Sequence, residues 1–121
     1  MSRPDDKRAL SGSQAGMRFI ALMKLYNDGH PPRLQQFIQD SFAPALLDEQ
    51  DAEARAMAWL ARRAALGRHK VKQALAVGKH QAAVVVSAEH TDDLYYVEIE
   101  VEEDYPHRIT KCLHAPLQPA N

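Results

Sequence analysis

The stretch of sequence that decides the fold is LYYVEIEVEEDYPHRIT, residues 94–110. Apolar and acidic side chains alternate in its first half, with Tyr95, Val97, Ile99 and Val101 on one parity and Tyr96, Glu98, Glu100 and Glu102 on the other. Strict alternation over eight residues rich in β-branched and aromatic side chains predicts a half-buried strand. Such a strand belongs to an antiparallel sheet whose apolar face is covered by other elements.

Three further strand patterns surround this stretch. Residues 70–77 alternate, and residues 81–89 contain AAVVVSA, which is apolar on both parities and predicts a central strand. Residues 91–93 predict a hairpin loop. After a break at Tyr105-Pro106, residues 107–115 predict the last strand. Four consecutive strands with short connections predict an antiparallel meander.

The first half of the chain has the 3.6-residue periodicity of helices. We expect three helices, over residues 13–28, over residues 33–41, and from Asp48 to a stop at Gly67. The inward stripe of the first consists of Phe19, Leu22, Met23 and Tyr26. The inward stripe of the third consists of Met57, Leu60, Ala61 and Ala64, with Trp59 off its centre. We therefore expect Trp59 at an edge of the core or at an interface.

Length and composition predict one domain in a reducing compartment. We expect a disordered tail at 1–12, a single domain at 13–115 and a loose tail at 116–121. No apolar run approaches the about 20 residues of a membrane span, and residues 1–14 lack the apolar core of a secretory signal. The lone Cys112 excludes an internal disulfide. These features predict a cytoplasmic protein that does not contact membranes.

The formal net charge of −1 conceals two blocks of opposite sign. Residues 54–88 hold seven Lys or Arg and no acid, whereas residues 89–104 hold eight acids and no Lys or Arg. We interpret the blocks as neighbouring strands that neutralise each other. We expect no nucleic-acid site, because the basic block lacks interleaved aromatic residues and the chain as a whole is not basic.

Three helices followed by four strands predict an α+β fold, with the helices packed on a curved, mainly antiparallel sheet to give a cone-like domain. In this order, and in the segments FIALMKLYNDGHPPRLQQFI, SFAPALL and VEIEVEEDYPHRIT, the chain resembles the nuclear-transport-factor-2-like (SnoaL-like) superfamily of cystatin-like folds. More narrowly, residues 14–115 resemble the small domain that precedes some serine hydrolases. The resemblance implies a conical pocket between the first helix and the sheet, and dimers that form through the sheet.

Two sets of residues carry the functional expectations. The pocket, with room for a small apolar ligand, is expected to be lined by Phe19, Met23, Tyr26, Phe37, Trp59, Tyr95 and His107. The same residues are also typical of a filled core. The homodimer face is expected to consist of Lys70, Lys72, Tyr96, Glu98 and Glu100, which are equally typical of a solvated surface.

The sequence holds no complete catalytic or metal-binding motif. It has neither a G-x-S-x-G nor an S-x-x-K serine motif, and its six histidines form no H-E-x-x-H or i, i+4 pair. Cys112 and His114 lie two residues apart on one strand face, about 6–7 Å by strand rise, which exceeds hydrogen-bond reach. We therefore expect no metal and no cofactor.

The sequence thus predicts a non-catalytic domain for small-ligand binding or for partner docking and assembly. The alternative is a small acid/base enzyme of the isomerase, cyclase or dehydratase type, with His107 and Tyr26 as its candidate catalytic residues. An open cavity lined by Tyr26, Tyr95 and His107 would favour a ligand or a substrate. A cavity filled by core side chains would favour assembly.

Overall fold

The computed structural model describes residues 4–117, in which five helices precede four strands. The helices are α1 (Pro4–Ser11), α2 (Gln14–Asp28), α3 (Pro31–Ser41), α4 (Pro44–Glu49) and α5 (Ala52–Leu66). The strands are β1 (His69–Val77), β2 (Gln81–Ala88), β3 (Leu94–Val101) and β4 (Ile109–Pro116). They form one antiparallel sheet in the order β1-β2-β3-β4. The predicted α+β class and meander are confirmed, with five helices in place of three.

The core lies between the helices and one face of the sheet. The buried side chains of that face include Val84 and Val86 of β2 and Val97 and Ile99 of β3, which pack with apolar residues of the helices. This is the apolar parity that the alternation in β3 predicts, and β2 is a central strand as its composition predicts. Among residues 4–117, no helix has the length and apolar character needed to cross a membrane.

Helix α1 occupies residues where the sequence predicted a disordered tail. Its Leu10 is only 2% exposed and belongs to the core, and the Asp6 carboxylate accepts a hydrogen bond from the backbone N–H of Ala74 on β1 at 3.1 Å. The helix has one large apolar residue in eight, so its sequence carries almost no periodicity. The ordered part of the domain therefore begins before residue 13. Of the predicted C-terminal tail, residues 118–121 lie outside the described part of the chain.

The predicted third helix starts at Ala52 and not at Asp48, because the chain is extended at Gln50 and Asp51. The preceding α4 covers residues 44–49, most of which the sequence did not predict to be helical. The Asp51 side chain accepts a hydrogen bond from the backbone N–H of Ala54 at 2.8 Å and so starts α5. The expected inward stripe of this helix was wrong: Met57 is 64% exposed, and Trp59, at 6%, is buried. The buried residues of α5 are Ala52, Ala56 and Trp59.

The ends of β3 and β4 also differ from the sequence prediction. The last residue of β3 is Val101, and β4 begins at Ile109. His107 lies in the connecting loop with a left-handed backbone (φ 57°), so it is not part of a strand. The Arg18 guanidinium of α2 donates a hydrogen bond to the carbonyl of Pro106 at 2.8 Å and ties this loop to the helical layer.

The charge blocks do not neutralise each other across neighbouring strands. The basic β1 and the acidic β3 are separated by β2. Glu98 and Glu100 instead approach the ammonium of Lys111 on β4, at 3.1 and 3.6 Å. Register explains the pairing, because Lys111 lies directly opposite Glu100.

Candidate functional site

The predicted pocket residues do not surround one open cavity. Phe19, Met23, Tyr26 and Trp59 are buried in the core, and Phe37 and Tyr95 pack against it. His107 lies elsewhere: its ring stacks on that of His80 at 5.6 Å between centroids, and its Nδ1 is 2.9 Å from the carbonyl oxygen of Glu102. The structure therefore separates His107 from Tyr26 and Tyr95.

Two histidines that the sequence analysis did not bring together meet beside Tyr26 and Tyr95. His69 of β1 and His114 of β4 are on the two outer strands of the sheet, and their Nε2 atoms are 2.9 Å apart. One ring must donate and the other accept, so at least one of these Nε2 atoms carries no proton. We call this group the histidine–aromatic cluster; it consists of Tyr26, Trp59, His69, Tyr95 and His114.

Aromatic rings hold the histidine pair in place. The Tyr95 ring stacks on that of His114 with centroids 4.9 Å apart, and Trp59 meets His114 edge to face at 5.7 Å. Tyr26 lies 4.5 Å from the His69 ring and donates its hydroxyl proton to the carbonyl of Gly67 at 2.8 Å. The cluster thus joins α2 and α5 to three strands of the sheet.

The backbone of His69 is fixed by Asn27 at the end of α2. The Asn27 amide accepts from the His69 N–H at 2.8 Å and donates to the His69 carbonyl at 2.9 Å. The His69 side chain is buried, and its Nδ1 has no hydrogen-bond partner among residues 4–117. A proton added to this imidazole would therefore gain no acceptor in the described part of the chain.

Burial holds the titratable groups of this region in their neutral forms. It raises the pKa of the Tyr26 hydroxyl to about 12 and the pKa of the Cys112 thiol to about 12. It also lowers the pKa of His69. Burial, with the positive charge of Arg62 and the proximity of His69, lowers the pKa of His114 to about 3. All four groups are therefore uncharged near pH 7.

A pocket of about 120 Å³ opens beside the cluster, between α5 and β4. We call it the Arg62 pocket; it is lined by Gln50, Arg55, Ala58, Trp59, Arg62, Cys112 and His114. The Arg62 guanidinium lies over the Trp59 ring, 4.3 Å from its centroid. The lining contains two arginines and no carboxylate.

A larger, polar cleft opens beside His69. Its volume is about 490 Å³, and it is lined by Asn27, Arg68, His69, Lys70, Lys72, Ser87, Ala88, Glu89 and Asp92. Because His69 lines this cleft and His114 lines the Arg62 pocket, the histidine pair lies between the two openings. The cleft carries charges of both signs, whereas the Arg62 pocket carries only positive ones.

The remaining predicted site residues have separate locations. Tyr96, Glu98 and Glu100 lie on the face of the sheet opposite the core, as the alternation predicts. Lys72 lies where the pairing of β1 shifts register, and with Lys70 it lines the cleft beside His69. Within residues 4–117, no three His, Cys, Asp or Glu side chains form a group that could hold a metal ion.

The histidine pair left no signal that sequence reasoning could use. His69 and His114 are 45 residues apart. His69 lies at the end of a predicted strand, where a solvent-facing imidazole is ordinary, and the sequence suggested only Cys112 as a partner for His114. The alternation of side chains along β4 places His114 and Cys112 on one face of the sheet. It does not show that the His69 side chain, on another strand, contacts His114. Only the assembled sheet brings them together.

No protein family, no characterised protein and no solved structure matches this chain. Its own geometry defines a small α+β domain with helices on a four-stranded antiparallel sheet, an arrangement compatible with a nuclear-transport-factor-2-like fold.

Proposed function

We propose that this protein is a non-catalytic binding domain for a small ligand, and that the ligand binds in the Arg62 pocket against the histidine–aromatic cluster. The observation that carries the proposal is geometric: a pocket opens between α5 and β4 against Trp59 and His114 of the cluster, with the Arg62 guanidinium in its wall. Burial also favours the neutral forms of Tyr26, His69 and His114 in the cluster and of Cys112 beside it. A site that keeps its groups in one protonation state suits recognition better than proton transfer.

The alternative, a small acid/base enzyme, has less support. A general acid or base works best when its pKa is near the operating pH. The pKa of His114, about 3, and that of Tyr26, about 12, both lie far from neutrality. His107 is remote from Tyr26 and Tyr95, so the candidate catalytic pair is not assembled.

A ligand screen that reads Trp59 tests the proposal. Trp59 is the only tryptophan of the chain, so its fluorescence reports on this pocket alone. We expect small molecules that bind at pH 7.5 to change the emission of Trp59 and to shift the amide NMR signals of α5 and β4. Binders that shift only the loop between β3 and β4, or a library without binders, would contradict the proposal.

A matched pair of variants adds a control to this screen. Ala58 is exposed and lines the pocket, whereas Ala61 is exposed on the same helix outside the pocket lining. We expect Ala58→Leu to fill part of the pocket and to weaken binding at least about tenfold, which corresponds to 1.4 kcal/mol. Ala61→Leu is expected to bind as the unmodified protein does. Equal binding by the two variants would place the ligand elsewhere.

We also propose that two copies associate through the sheet face opposite the core. This face carries a group of apolar side chains around Glu98: Ala83 and Val85 of β2, Tyr96 of β3, and Leu113 and Ala115 of β4. Val85 is only 4% exposed although its side chain points away from the helices, and Leu113 is 37% exposed. Within residues 4–117, the helices pack on the opposite, core face of the sheet, so they do not cover this face.

The charges of this face suit a second copy of the same chain. Lys70 lies at one end of the face, and Glu98 and Glu100 lie towards the other, where Lys111 neutralises one of the two carboxylates. In a two-fold dimer the same surface meets itself, so an antiparallel arrangement brings Lys70 of each copy towards the remaining acidic charge of its partner.

Light scattering at tens of micromolar tests the dimer. We expect a mass near twice the 13.6 kDa of one chain. Leu113→Lys is expected to give the mass of one chain, because it puts a second, unpaired charge into the apolar part of this face. Met57→Lys, at an exposed position on the helical side, is the control and should leave the mass unchanged. A single-chain mass for the unmodified protein would end this proposal.

We propose that the domain is a member of the nuclear-transport-factor-2-like superfamily with a cone-like shape, and that it works in the cytoplasm. The order of helices before an antiparallel sheet and the free thiol of Cys112 support this assignment. A crystal structure with a flat sheet and no curvature around the helices would argue against it.

A further inference from the structure

We propose that the ligand of the Arg62 pocket is a small monocarboxylate with a short apolar body, bound by the guanidinium of Arg62. The inference rests on the proposed function, since it names the ligand class of the same pocket. It is carried by the contrast between Arg62 and the other half-buried arginines of the helical layer.

The other half-buried arginines are held by backbone carbonyls. Arg55 donates to Gln50 and Leu46 at 2.7 and 2.6 Å, and Arg63 donates to the carbonyl of Asn27 at 3.2 and 2.8 Å. Their donors are thereby largely satisfied within the fold. These guanidinium groups tie α5 to α4 and α2, which is a structural role.

Arg62 has no such partner. Within residues 4–117, no group accepts a hydrogen bond from its guanidinium and no carboxylate lies within ion-pair distance. The group is half-buried over Trp59, and burial lowers its pKa, although an arginine remains charged near neutrality. Its guanidinium nitrogens are not among the fully buried polar atoms of residues 4–117 that lack a hydrogen-bond partner, so solvent reaches them from the pocket. An anion in the adjoining pocket would replace this water with a charged acceptor and would pair the half-buried positive charge.

The pocket selects among anions by charge and by size. The guanidinium presents parallel N–H groups that match the two oxygens of a carboxylate. His114 is neutral, and the Arg55 guanidinium, which also lines the pocket and stays positively charged, already donates to backbone carbonyls. Arg62 therefore offers the guanidinium fork of this lining that has no protein acceptor, and one fork matches the two oxygens of one carboxylate.

The volume of the pocket limits the body of the ligand. Its 120 Å³ is well below the about 300–1,000 Å³ of pockets for larger ligands. The walls beside Arg62 include the indole of Trp59, the methyl group of Ala58 and the thiol of Cys112. A carboxylate with two or three carbon atoms attached fits this space and these surfaces.

Titration of Trp59 fluorescence with propionate, propionamide and inorganic phosphate tests the inference on the unmodified full chain. Propionamide has nearly the shape of propionate but carries no charge. We expect propionate to bind with a Kd below about 1 mM and propionamide at least about tenfold more weakly, since a charge-assisted bidentate contact is lost. Equal affinity for the two would overturn the carboxylate assignment, and tighter binding of phosphate would overturn it too.

Substitutions of Arg62 test whether its guanidinium contacts the carboxylate. Arg62→Gln is expected to remove the preference for propionate over propionamide, and Arg62→Lys to restore only part of it, because lysine lacks the planar fork. Arg33→Gln, at an exposed arginine of α3, is the control and should keep the full preference. A preference that survives in Arg62→Gln would overturn the inference. If propionamide and other neutral compounds bind in the pocket while carboxylates show no advantage, only the ligand class fails and the proposed function stands.

Discussion

Replacing Gly16 by alanine is expected to lower the free energy of unfolding by about 3 kcal/mol and the melting temperature by about 10 °C. Gly16 lies in the first turn of α2, where α1 crosses closely. A Cβ at this position would come within 2.7 Å of the Cα and carbonyl carbon of Leu10, and closer still to its carbonyl oxygen. These are backbone atoms, so no side-chain rotation relieves the clash and α1 must move away from α2.

The matched control is Gly12→Ala. A Cβ there would lie 3.4 Å from the carbonyl oxygen of Arg8, which is ordinary contact, and its backbone is not left-handed. We expect a change within about 0.5 kcal/mol, with the sign set by the loss of glycine flexibility in the unfolded chain. Urea titration monitored by Trp59 fluorescence gives both values. If Gly16→Ala is as stable as Gly12→Ala, α1 does not dock on α2 and Leu10 is not part of the core.

Acid is expected to destabilise the protein over a pH range where most proteins are still stable. Folding lowers the pKa of His114 from 6.5 to about 3 and also lowers that of His69. Below pH 6.5 the unfolded chain therefore binds protons that the folded chain does not. Stability is fully present above pH 6.5 and is lost as the pH falls towards the folded-state pKa values.

The size of the acid effect follows from proton linkage. His114 alone, if fully shifted, would lose about 2.7 kcal/mol between pH 6.5 and about pH 4.5, and solvent screening at this partly exposed residue reduces the expected loss to about 1–2 kcal/mol. His69 adds to the loss in the same direction, and the positive charge of Arg62 also disfavours protonation of both rings. Protonation of both rings would also make both Nε2 atoms, 2.9 Å apart, hydrogen-bond donors, so the hydrogen bond between them would be lost.

Denaturant titrations at several pH values measure the effect. We expect the slope of unfolding free energy against pH in this range to become much flatter in the variant with both His69→Asn and His114→Asn, whatever its stability at pH 7.5. Arg62→Gln should reduce the slope by a smaller amount, because it removes the positive charge that helps to lower the pKa of His114. Identical slopes in the unmodified protein and the double variant would contradict the role of the pair.

Several elements could be predicted because their signals are local. The buried parity of Val97, Ile99 and Val101 depends only on alternation along one strand, and Gly29 ends α2 with the left-handed backbone that glycine favours. Ser13 caps α2 at its start, where a short hydroxyl is favoured: its side chain accepts from the N–H of Gly16 at 3.0 Å. Each of these features is determined by residues within one turn or a few positions along a strand.

Other elements could not be predicted because tertiary packing overrides weak local signals. In α5 the small Ala52 and Ala56 face the core and Met57 faces solvent, since the docking of the helix selects a stripe by shape and not by hydrophobicity. Helix α1 is stabilised by the burial of Leu10 and by the contact of Asp6 with β1, neither of which leaves a periodic pattern.

By itself, the sequence determined the class of the fold, the order of the meander and the parity of its central strand, because alternation and turn chemistry depend on neighbouring residues only. The tertiary structure alone decided where the candidate site lies. The Nε2 atoms of His69 and His114 are 2.9 Å apart because both outer strands point these side chains to the helical face. Arg55 and Arg63 donate to backbone carbonyls, whereas the Arg62 guanidinium lies over the Trp59 ring. Such contacts depend on how distant segments pack together, and no local pattern encodes that.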